Sequence, residues 1–169
     1  MSSTFDLSGK VAVVVGASSG LGADAARAYA EHGADVALLA RRLERLEALK
    51  TEIEAAGRRA VAVRCDVTDE DSCRAAVDAV IDAYGRIDIL LNNAGVAVRG
   101  GVDTLTDADW DRSFDTNVKG IFHVSKYVVP RMRERGYGKI VNIASVNAVV
   151  ADKHDERLRS EERRVGKEC

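Results

Sequence analysis

A run of apolar residues that breaks into three closely spaced glycines constrains this chain more than any other feature. Val11–Val15 is an unbroken β-branched and small apolar run, and Gly16, Gly20 and Gly22 follow it before Ala-rich sequence resumes. The pattern predicts a strand, a tight turn and the start of a helix. Glycine lets the backbone approach a ligand closely and take a positive φ, and a helix N-terminus offers unpaired N–H groups and a positive dipole end.

Together these features are typical of an anion site, most often for phosphate. The candidate residues of this turn are Gly16, Ala17, Ser18, Ser19, Gly20, Leu21 and Gly22. Their G-x-x-x-G-x-G spacing differs from the G-x-G-x-x-G dinucleotide fingerprint. A purely structural tight turn is the alternative that this motif alone leaves open.

Short apolar runs alternate with amphipathic stretches along the chain. We predict strands at 11–15, 34–40, 60–65, 87–91 and 138–144. Helices are predicted from Gly20 to near Gly33, from 43 to 56, from an N-cap at Thr68 to Tyr84, and from a cap at Thr106 to about Arg135, with a kink at Pro130. This order predicts an α/β fold of the Rossmann type: a doubly wound parallel sheet of five strands in the order 3-2-1-4-5. Ligands of such sheets bind at the carboxyl ends of the strands, here beside the first and fourth.

Composition narrows the class of protein. The chain has 169 residues, 46% of them hydrophobic, with a formal net charge of −2, so we expect one domain and no nucleic-acid partner. Its longest apolar runs have the length of strands, which predicts no contact with membranes, and the first residues lack a signal-peptide pattern, which favours the cytoplasm. The three cysteines, Cys65, Cys73 and Cys169, lack metal-ligand spacing, so we expect no metal site.

Four further motifs follow the glycine turn in order. They are Asp66-Val67 after the third strand, Asn92–Gly95 after the fourth, Asn117 in the last helical region and Ser145 after the fifth strand. With these motifs the chain resembles the short-chain dehydrogenase/reductase family from about Leu7 to Val150. Taken singly, each motif also has a structural reading, such as a helix start for Asp66 or a satisfied loop turn for Asn92 and Asn93.

The resemblance implies an NAD(P)-dependent oxidoreductase. It implies that the glycine turn holds the pyrophosphate, that Asp66 and Val67 flank the adenine, and that Asn93, Ala94 and Gly95 line the adenosine and ribose side of the pocket. It also implies catalytic roles for Asn117, which orders a proton-relay water, and for Ser145, which hydrogen-bonds the substrate oxygen.

The choice of cofactor can be predicted from charge. NAD-specific sites hold the ribose 2′-OH with an acidic residue at the end of the second strand. This chain has Ala40 there, followed by Arg41 and Arg42, so we expect NADP to be preferred, with NAD possible and Arg41 as the first candidate for the 2′-phosphate. The alternative is that both arginines lie at an exposed helix start. The other basic position of the family, inside the glycine turn, is Ser19 here.

The tyrosine and lysine that complete the catalytic set of the family do not appear. They are expected about a dozen residues after Ser145, where 157–159 stand, yet the last tyrosine is Tyr137. Lys153 and His154 are the nearest titratable residues. We therefore predict an incomplete cofactor domain at 1–151, without the later strands of the family fold, and a charged tail at 152–169. Residues 159–169 can be encoded by DNA that resembles a short-read sequencing adapter. We therefore predict that the natural gene was cut near Leu158 and that adapter sequence was translated in its place.

The expected function is hydride transfer between a secondary alcohol and a ketone in the full-length parent, of a gluconate 5-dehydrogenase-like or 3-oxoacyl carrier-protein reductase-like kind. The parent is expected to form a homo-oligomer, and the chain as written is expected to be inactive. A second reading is a non-catalytic dinucleotide-binding or sensing module.

Overall fold

The predicted sheet is confirmed by a computed structural model that describes residues 5–101 and 103–145. The strands are parallel and lie in the order β3-β2-β1-β4-β5. Their bounds are β1 Val11–Val15, β2 Asp35–Ala40, β3 Ala60–Arg64, β4 Ile89–Asn92 and β5 Lys139–Asn142. The helices are α1 Gly20–Glu31, α2 Leu43–Ala55, α3 Glu70–Tyr84, α4 Asp107–Phe114 and α5 Gly120–Glu134. The tail at 152–169, with Lys153 and His154, lies outside the described residues.

Alternate residues of the central strands supply two hydrophobic cores, one on each face of the sheet. Val11, Val13 and Val15 point to the face covered by α3 and α5, where they join Val77 and Val124. On the opposite face Val14 of β1 and the alternate residues of β2 pack against α1 and α2, through Ala26 and Leu46 among others. The two-sided burial explains why β1 and β2 are apolar at almost every position.

Asp88 fastens the starts of β1 and β4 at the edge opposite the glycine turn. Its carboxylate is almost completely buried, accepts a hydrogen bond from the Val11 N–H at 2.9 Å and pairs with Arg86. Burial alone would raise the pKa of Asp88, but the hydrogen bonds from Arg86 and Val11 hold that pKa below its usual value. The anchor aligns the two strands whose other ends carry the candidate site.

The cap of α3 differs from the sequence prediction. Asp69, rather than Thr68, is the N-cap, and its Oδ1 accepts from the N–H groups of Asp71 at 3.0 Å and Ser72 at 3.4 Å. Thr68 instead donates its N–H and its hydroxyl to Asp66. Both residues are good caps by type, and the turn made by Asp66 decides which of them is used.

The last helical region is interrupted where the sequence shows no helix breaker. Thr106 caps α4 as predicted, in a capping box with Asp109. A π-helical turn at Asp115–Lys119 then separates α4 from α5, and α5 runs through Pro130. A π turn adds a residue to the helical repeat and is frequent at functional sites. Here it contains Asn117.

The fifth strand is exposed. It spans Lys139–Asn142, shorter than predicted, and among the described residues it pairs with β4 alone. Ile140, Val141 and Ile143 expose 41%, 44% and 44% of their surface. The described part of β5 therefore presents an apolar edge. Within the described part of the chain, no helix combines the length and the apolar character needed to cross a membrane.

Candidate cofactor site

The carboxyl ends of β1 to β4 surround a cavity of about 410 Å³. Most of the predicted binding residues meet there, because parallel strands deliver their following loops to one edge of the sheet. Lining the cavity are Gly16, Ser18, Ser19, Arg41, Arg42, Asp66, Val67, Asn93, Ala94 and Gly95 from the predicted set, with Val15, Leu39, Ala40, Cys65, Thr68, Val96 and Thr116. Ala17, Gly20, Leu21, Gly22, Asn117 and Ser145 do not line it.

The glycine turn and the loop after β4 touch backbone to backbone. Gly16 has a φ of +85°, and a Cβ added to it would lie 2.8 Å from both the Cα and the N of Ala94. A Cβ on Gly22 would meet the Gly16 carbonyl and would lie 2.6 Å from the Asn93 Nδ2. Asn93 also donates from Nδ2 to the Gly16 carbonyl at 3.4 Å. The two motifs therefore form one wall, and only glycine fits at Gly16 and Gly22.

The N-terminus of α1 has no side-chain cap. Ser19 is the N-cap in an extended conformation, and its hydroxyl makes no capping hydrogen bond. The first turn of α1 contains no acidic residue. Its N–H groups and its dipole end thus favour an anion beside the turn.

The hydroxyls of the turn instead hold an arginine. Arg42 donates from Nη2 to the Ser18 Oγ at 2.8 Å and to the Ser19 Oγ at 2.9 Å, and from Nε to the Ser18 Oγ at 3.3 Å. Arg41 lines the same cavity. A cationic group thus lies over the turn from the end of β2. The sequence indicates the two arginines but not this anchoring, since the partners are more than twenty residues apart.

The segment after β3 is held from two sides. Asp66 donates its N–H to the Ser72 Oγ at 3.0 Å and accepts at Oδ1 from the Thr68 hydroxyl at 2.8 Å. The carbonyl of Val67 lies 2.9 Å from the His123 Nδ1. A Cβ on Gly120 would lie 2.8 Å from the Val67 side chain, so this glycine lets α5 approach the wall. Sequence reasoning missed Gly120 and His123; a glycine inside a helical pattern was the available signal.

Asn117 links the π turn to the loop after β4. Its Oδ1 accepts the Val96 N–H at 2.8 Å, and its Nδ2 donates to the Val96 carbonyl at 2.9 Å and to the Ser113 Oγ at 3.3 Å. Ser145 follows β5 and is exposed. Both residues lie outside the cavity wall, in the segments that follow β4 and β5.

Two thiols complete this region. Cys65 and Cys73 are both buried, and the Cys73 thiol donates to the Asp66 carbonyl, with its Sγ 3.5 Å from that oxygen. The neighbouring Cys73 and burial raise the pKa of Cys65, so this thiol is protonated at neutral pH. In residues 5–101 and 103–145, no group of three or more His, Cys, Asp or Glu side chains has the arrangement needed for a metal ion.

Comparison with known proteins gives a consistent assignment. The family profile described as short chain dehydrogenase matches residues 10–155. The gluconate 5-dehydrogenase of Gluconobacter oxydans is 42% identical over 147 residues, which cover 87% of this chain and 57% of that protein. The chain thus spans just under three fifths of the length of this relative.

Two solved structures with bound cofactors share the fold. A metagenomic short-chain oxidoreductase in complex with NADP has a TM-score of 0.79 and 42% identity, over 83% of this chain and 64% of that one. A 7α-hydroxysteroid dehydrogenase complexed with NADH and 7-oxo glycochenodeoxycholic acid has a TM-score of 0.84 and 35% identity, over 88% of this chain and 58% of that one. The profile match and the identity to these relatives agree with the sheet order and with the packing of the glycine turn against the loop after β4. The chain belongs to the short-chain dehydrogenase family.

Proposed function

We propose that this chain is the cofactor-binding part of an NADP-preferring oxidoreductase that moves a hydride between a secondary alcohol and a ketone. The observation that carries the proposal is the Arg42 guanidinium held on the hydroxyls of Ser18 and Ser19. Arg41 lies beside it, and Ala40 stands where a carboxylate would repel a 2′-phosphate. A 2′-phosphate carries negative charge, so this corner of the cavity favours NADP over NAD.

The residues present fit such a cofactor. The close contacts at Gly16 and Gly22 leave a cradle that side chains would fill, and the uncapped N–H groups of α1 suit a pyrophosphate. By family resemblance, Asp66 and Val67 flank the adenine, and Asn93, Ala94 and Gly95 line the adenosine and ribose. Arg41 and Arg42 then take the 2′-phosphate.

When bound, the nicotinamide supplies or accepts the hydride. In the full-length parent we assign Ser145 to a hydrogen bond with the substrate oxygen and Asn117 to the proton-relay water, both by family resemblance. Asn117 accepts a hydrogen bond from the Val96 N–H and donates one to the Val96 carbonyl, which supports a position close to the loop after β4. No tyrosine follows Tyr137 in the sequence, so we propose that the chain binds cofactor without turnover.

The test of the cofactor assignment is a titration of the 169-residue chain with NADPH and NADH, followed by nicotinamide fluorescence. Arg42→Ala should weaken NADPH binding about tenfold to hundredfold, the equivalent of one lost hydrogen bond to a charged group, and should change NADH binding little. Arg41→Ala reports on the second arginine. Arg45→Ala is the matched control, since Arg45 is exposed on α2 and outside the cavity.

Two results would count against the proposal. Equal loss of NADPH and NADH binding in Arg42→Ala would place the arginine in a structural role, and a tighter fit for NADH in the unaltered chain would reverse the cofactor preference. A parallel assay of ketone reduction, with gluconate-type and 3-oxoacyl substrates, tests turnover. Measurable turnover would overturn the proposed inactivity of this chain.

A second candidate is a dinucleotide-binding module without catalysis, favoured by the missing tyrosine and lysine. The two candidates differ in what restores activity. Joining residues 1–145 to the corresponding later half of a family member should give turnover that depends on Ser145 if the parent is an enzyme. A binding module would bind NADPH in that chimera, with no turnover attributable to Ser145.

We also propose that the parent forms a homo-oligomer through an exposed apolar stripe, defined as Trp110, Phe114, Val118 and Phe122. These residues follow at intervals of four along α4, the π turn and α5, and each is exposed. The rings of Trp110 and Phe114 stack with centroids 4.4 Å apart. A contiguous apolar surface of this kind is typical of a protein interface.

A further inference from the structure

A buried histidine on α5 lies behind the wall of the cavity. His123 exposes 4% of its surface and is one of four buried polar or charged residues in the described part of the chain. Val124 and Val128, which follow it on α5, are fully buried in the apolar cluster between α5 and the sheet. A buried polar group costs free energy unless it is paired, so the partner of His123 indicates why a histidine stands there.

That partner is the backbone carbonyl of Val67, whose oxygen lies 2.9 Å from the His123 Nδ1. A carbonyl oxygen only accepts hydrogen bonds, so this geometry assigns a proton to Nδ1 and leaves Nε2 as the unprotonated nitrogen of the neutral ring. The two residues are 56 positions apart in the sequence. The bond therefore joins α5 directly to the segment that follows β3.

The same helix also makes room for the Val67 side chain. Gly120 lies one turn before His123, and a Cβ on Gly120 would lie 2.8 Å from both the Cβ and the Cγ2 of Val67. Thus α5 contacts Val67 twice: the missing side chain at Gly120 admits the valine side chain, and His123 binds the valine carbonyl. Since Val67 lines the cavity, these contacts set the position of one part of its wall.

The preceding residue of the wall is held by a different helix. The Asp66 N–H donates to the Ser72 Oγ at 3.0 Å, and the Asp66 carbonyl oxygen lies 3.5 Å from the Cys73 Sγ, so α3 fixes Asp66. Neither contact involves the Val67 carbonyl. Removal of the His123 donor would therefore loosen the wall at Val67 and leave its attachment to α3 in place.

We propose that His123 is a positioning residue of the cofactor site: its Nδ1–H holds the Val67 carbonyl and thereby fixes the part of the wall that faces the adenine. The inference rests on the proposed function, which places Val67 beside the adenine, and it adds a residue to which that function gives no role. His123 is not among the residues that line the cavity, so it acts through Val67.

The first experiment tests the hydrogen bond without any cofactor. The chain is labelled with heavy nitrogen in its histidine rings, and the NMR signals of His123 are assigned by their loss in His123→Asn. In buffer alkaline enough for an ordinary imidazole to be neutral, we expect a proton on the His123 Nδ1 and none on Nε2. An Nδ1 without a proton would overturn the proposal.

The second experiment tests the effect on the site. His123→Phe keeps a planar ring and removes the donor, whereas His123→Asn keeps an N–H donor bonded to Cγ. We expect His123→Phe to bind NADPH about threefold to tenfold more weakly, the equivalent of one lost hydrogen bond, and His123→Asn to recover most of that loss. Binding of adenosine 2′,5′-bisphosphate, which carries the adenine without the nicotinamide, should weaken by the same factor.

Val128→Ala is the matched control. It removes buried atoms from the same helix and leaves the bond between His123 and Val67 in place, so it should lower the urea concentration at which half of the chain unfolds and leave NADPH affinity unchanged. Circular dichroism checks that each variant folds. If His123→Phe does not fold, the comparison of His123→Asn with the unaltered chain and the NMR result still test the proposal.

Three titration results would overturn the proposal: unchanged NADPH affinity in His123→Phe, an affinity of His123→Asn as low as that of His123→Phe, or equal weakening by Val128→Ala. The last of these would show that the packing of α5, rather than the donor, controls the site. If the unaltered chain binds neither NADPH nor adenosine 2′,5′-bisphosphate, the proposed function fails, and the NMR result alone decides whether His123 holds Val67.

Discussion

Gly16 shows how a single residue limits the geometry of the site. Its φ of +85° is one that residues with a Cβ rarely adopt, and the space that a Cβ would need is taken by the backbone of Ala94. Gly57 has a similar φ of +83° but has nothing within 4 Å of the same position. Comparing substitutions at Gly16 and Gly57 therefore separates two costs of adding a side chain. One is the strain of a positive φ, which both positions share, and the other is the steric clash with Ala94, which occurs at Gly16 alone.

We therefore expect Gly16→Ala to destabilise the chain more than Gly57→Ala. The positive φ should cost each variant about 1–2 kcal/mol in the free energy of unfolding, and the contact with Ala94 should add to this at Gly16 alone. Gly16→Ala should also lose NADPH binding, because the turn must move. Urea unfolding and NADPH titration measure both effects. Equal destabilisation of the two variants would show that Ala94 yields to the added methyl.

At the same scale, the arginine pair illustrates what residue type alone predicts. Ala40, Arg41 and Arg42 at the end of a strand indicate a site for a 2′-phosphate, because charge can be read from the sequence. The anchoring of Arg42 by Ser18 and Ser19 cannot, because it joins the loops after β1 and β2. Ser19 stands at the position of the glycine turn where the family has a basic residue. In this chain its hydroxyl accepts a hydrogen bond from the Arg42 guanidinium, which brings a positive charge to the same place.

At the scale of elements, Glu70 joins two helices that pack on the same face of the sheet. Its carboxylate accepts from the Lys126 Nζ at 2.6 Å and from the Tyr127 hydroxyl at 2.7 Å, linking the start of α3 to α5. The hydrogen bonds from Lys126 and Tyr127 lower the pKa of Glu70 to about 2. The contact keeps α5 beside the segment that carries Asp66 and Val67.

This link predicts a dependence of stability on pH. A carboxyl with a lowered pKa in the folded chain stabilises that chain above its ordinary value of 4.5, and the contribution is lost as the pH falls towards about 2. We expect Glu70→Gln to be less stable than the unaltered chain at neutral pH, and the difference to shrink over that range. Urea unfolding at a series of pH values measures it. Glu134→Gln, an exposed change on α5, is the control; a difference that stays constant with pH would refute the link.

Elements also differ in how far their own residues predict them. The capping box of Thr106 and Asp109 is a local pattern and was predicted at Thr106, whereas the π turn at Asp115–Lys119 carries no such pattern. Its position coincides with Asn117, whose amide is engaged by the distant Val96 backbone. The π turn therefore coincides with a contact between Asn117 and the distant Val96 backbone. The helix propensities of the residues in the turn do not predict such a contact.

At the scale of the whole molecule, two exposed apolar surfaces belong to different kinds of element in the described chain. One is the apolar stripe, and the other is the β5 edge with Ile140 and Val141. A helical stripe favours a defined interface with another copy, while an unpaired strand favours open-ended association. The two surfaces should therefore give different association behaviour.

We expect Phe122→Asp to convert a defined oligomer to monomer, since Phe122 lies in the stripe and exposes 58% of its surface. Ile140→Lys should suppress heavier aggregates and leave the oligomer unchanged, because a charge on an edge strand blocks strand pairing. Leu43→Asp, at an exposed position on α2, is the control. Sedimentation velocity over a range of concentrations distinguishes the species. An oligomer that survives Phe122→Asp would exclude the stripe as its interface.

By itself, the sequence determined the fold class and the strand order, and it predicted the edge of the sheet at which the cavity lies. These follow from local hydrophobic periods, glycine positions and the fixed hand of parallel crossovers. The tertiary structure alone decided that Asp69 caps α3, that Gly120 lets α5 reach Val67 and that Arg42 lies on two serines. Each of these depends on which atoms lie opposite a residue, and that is set by the packing of segments distant in the chain.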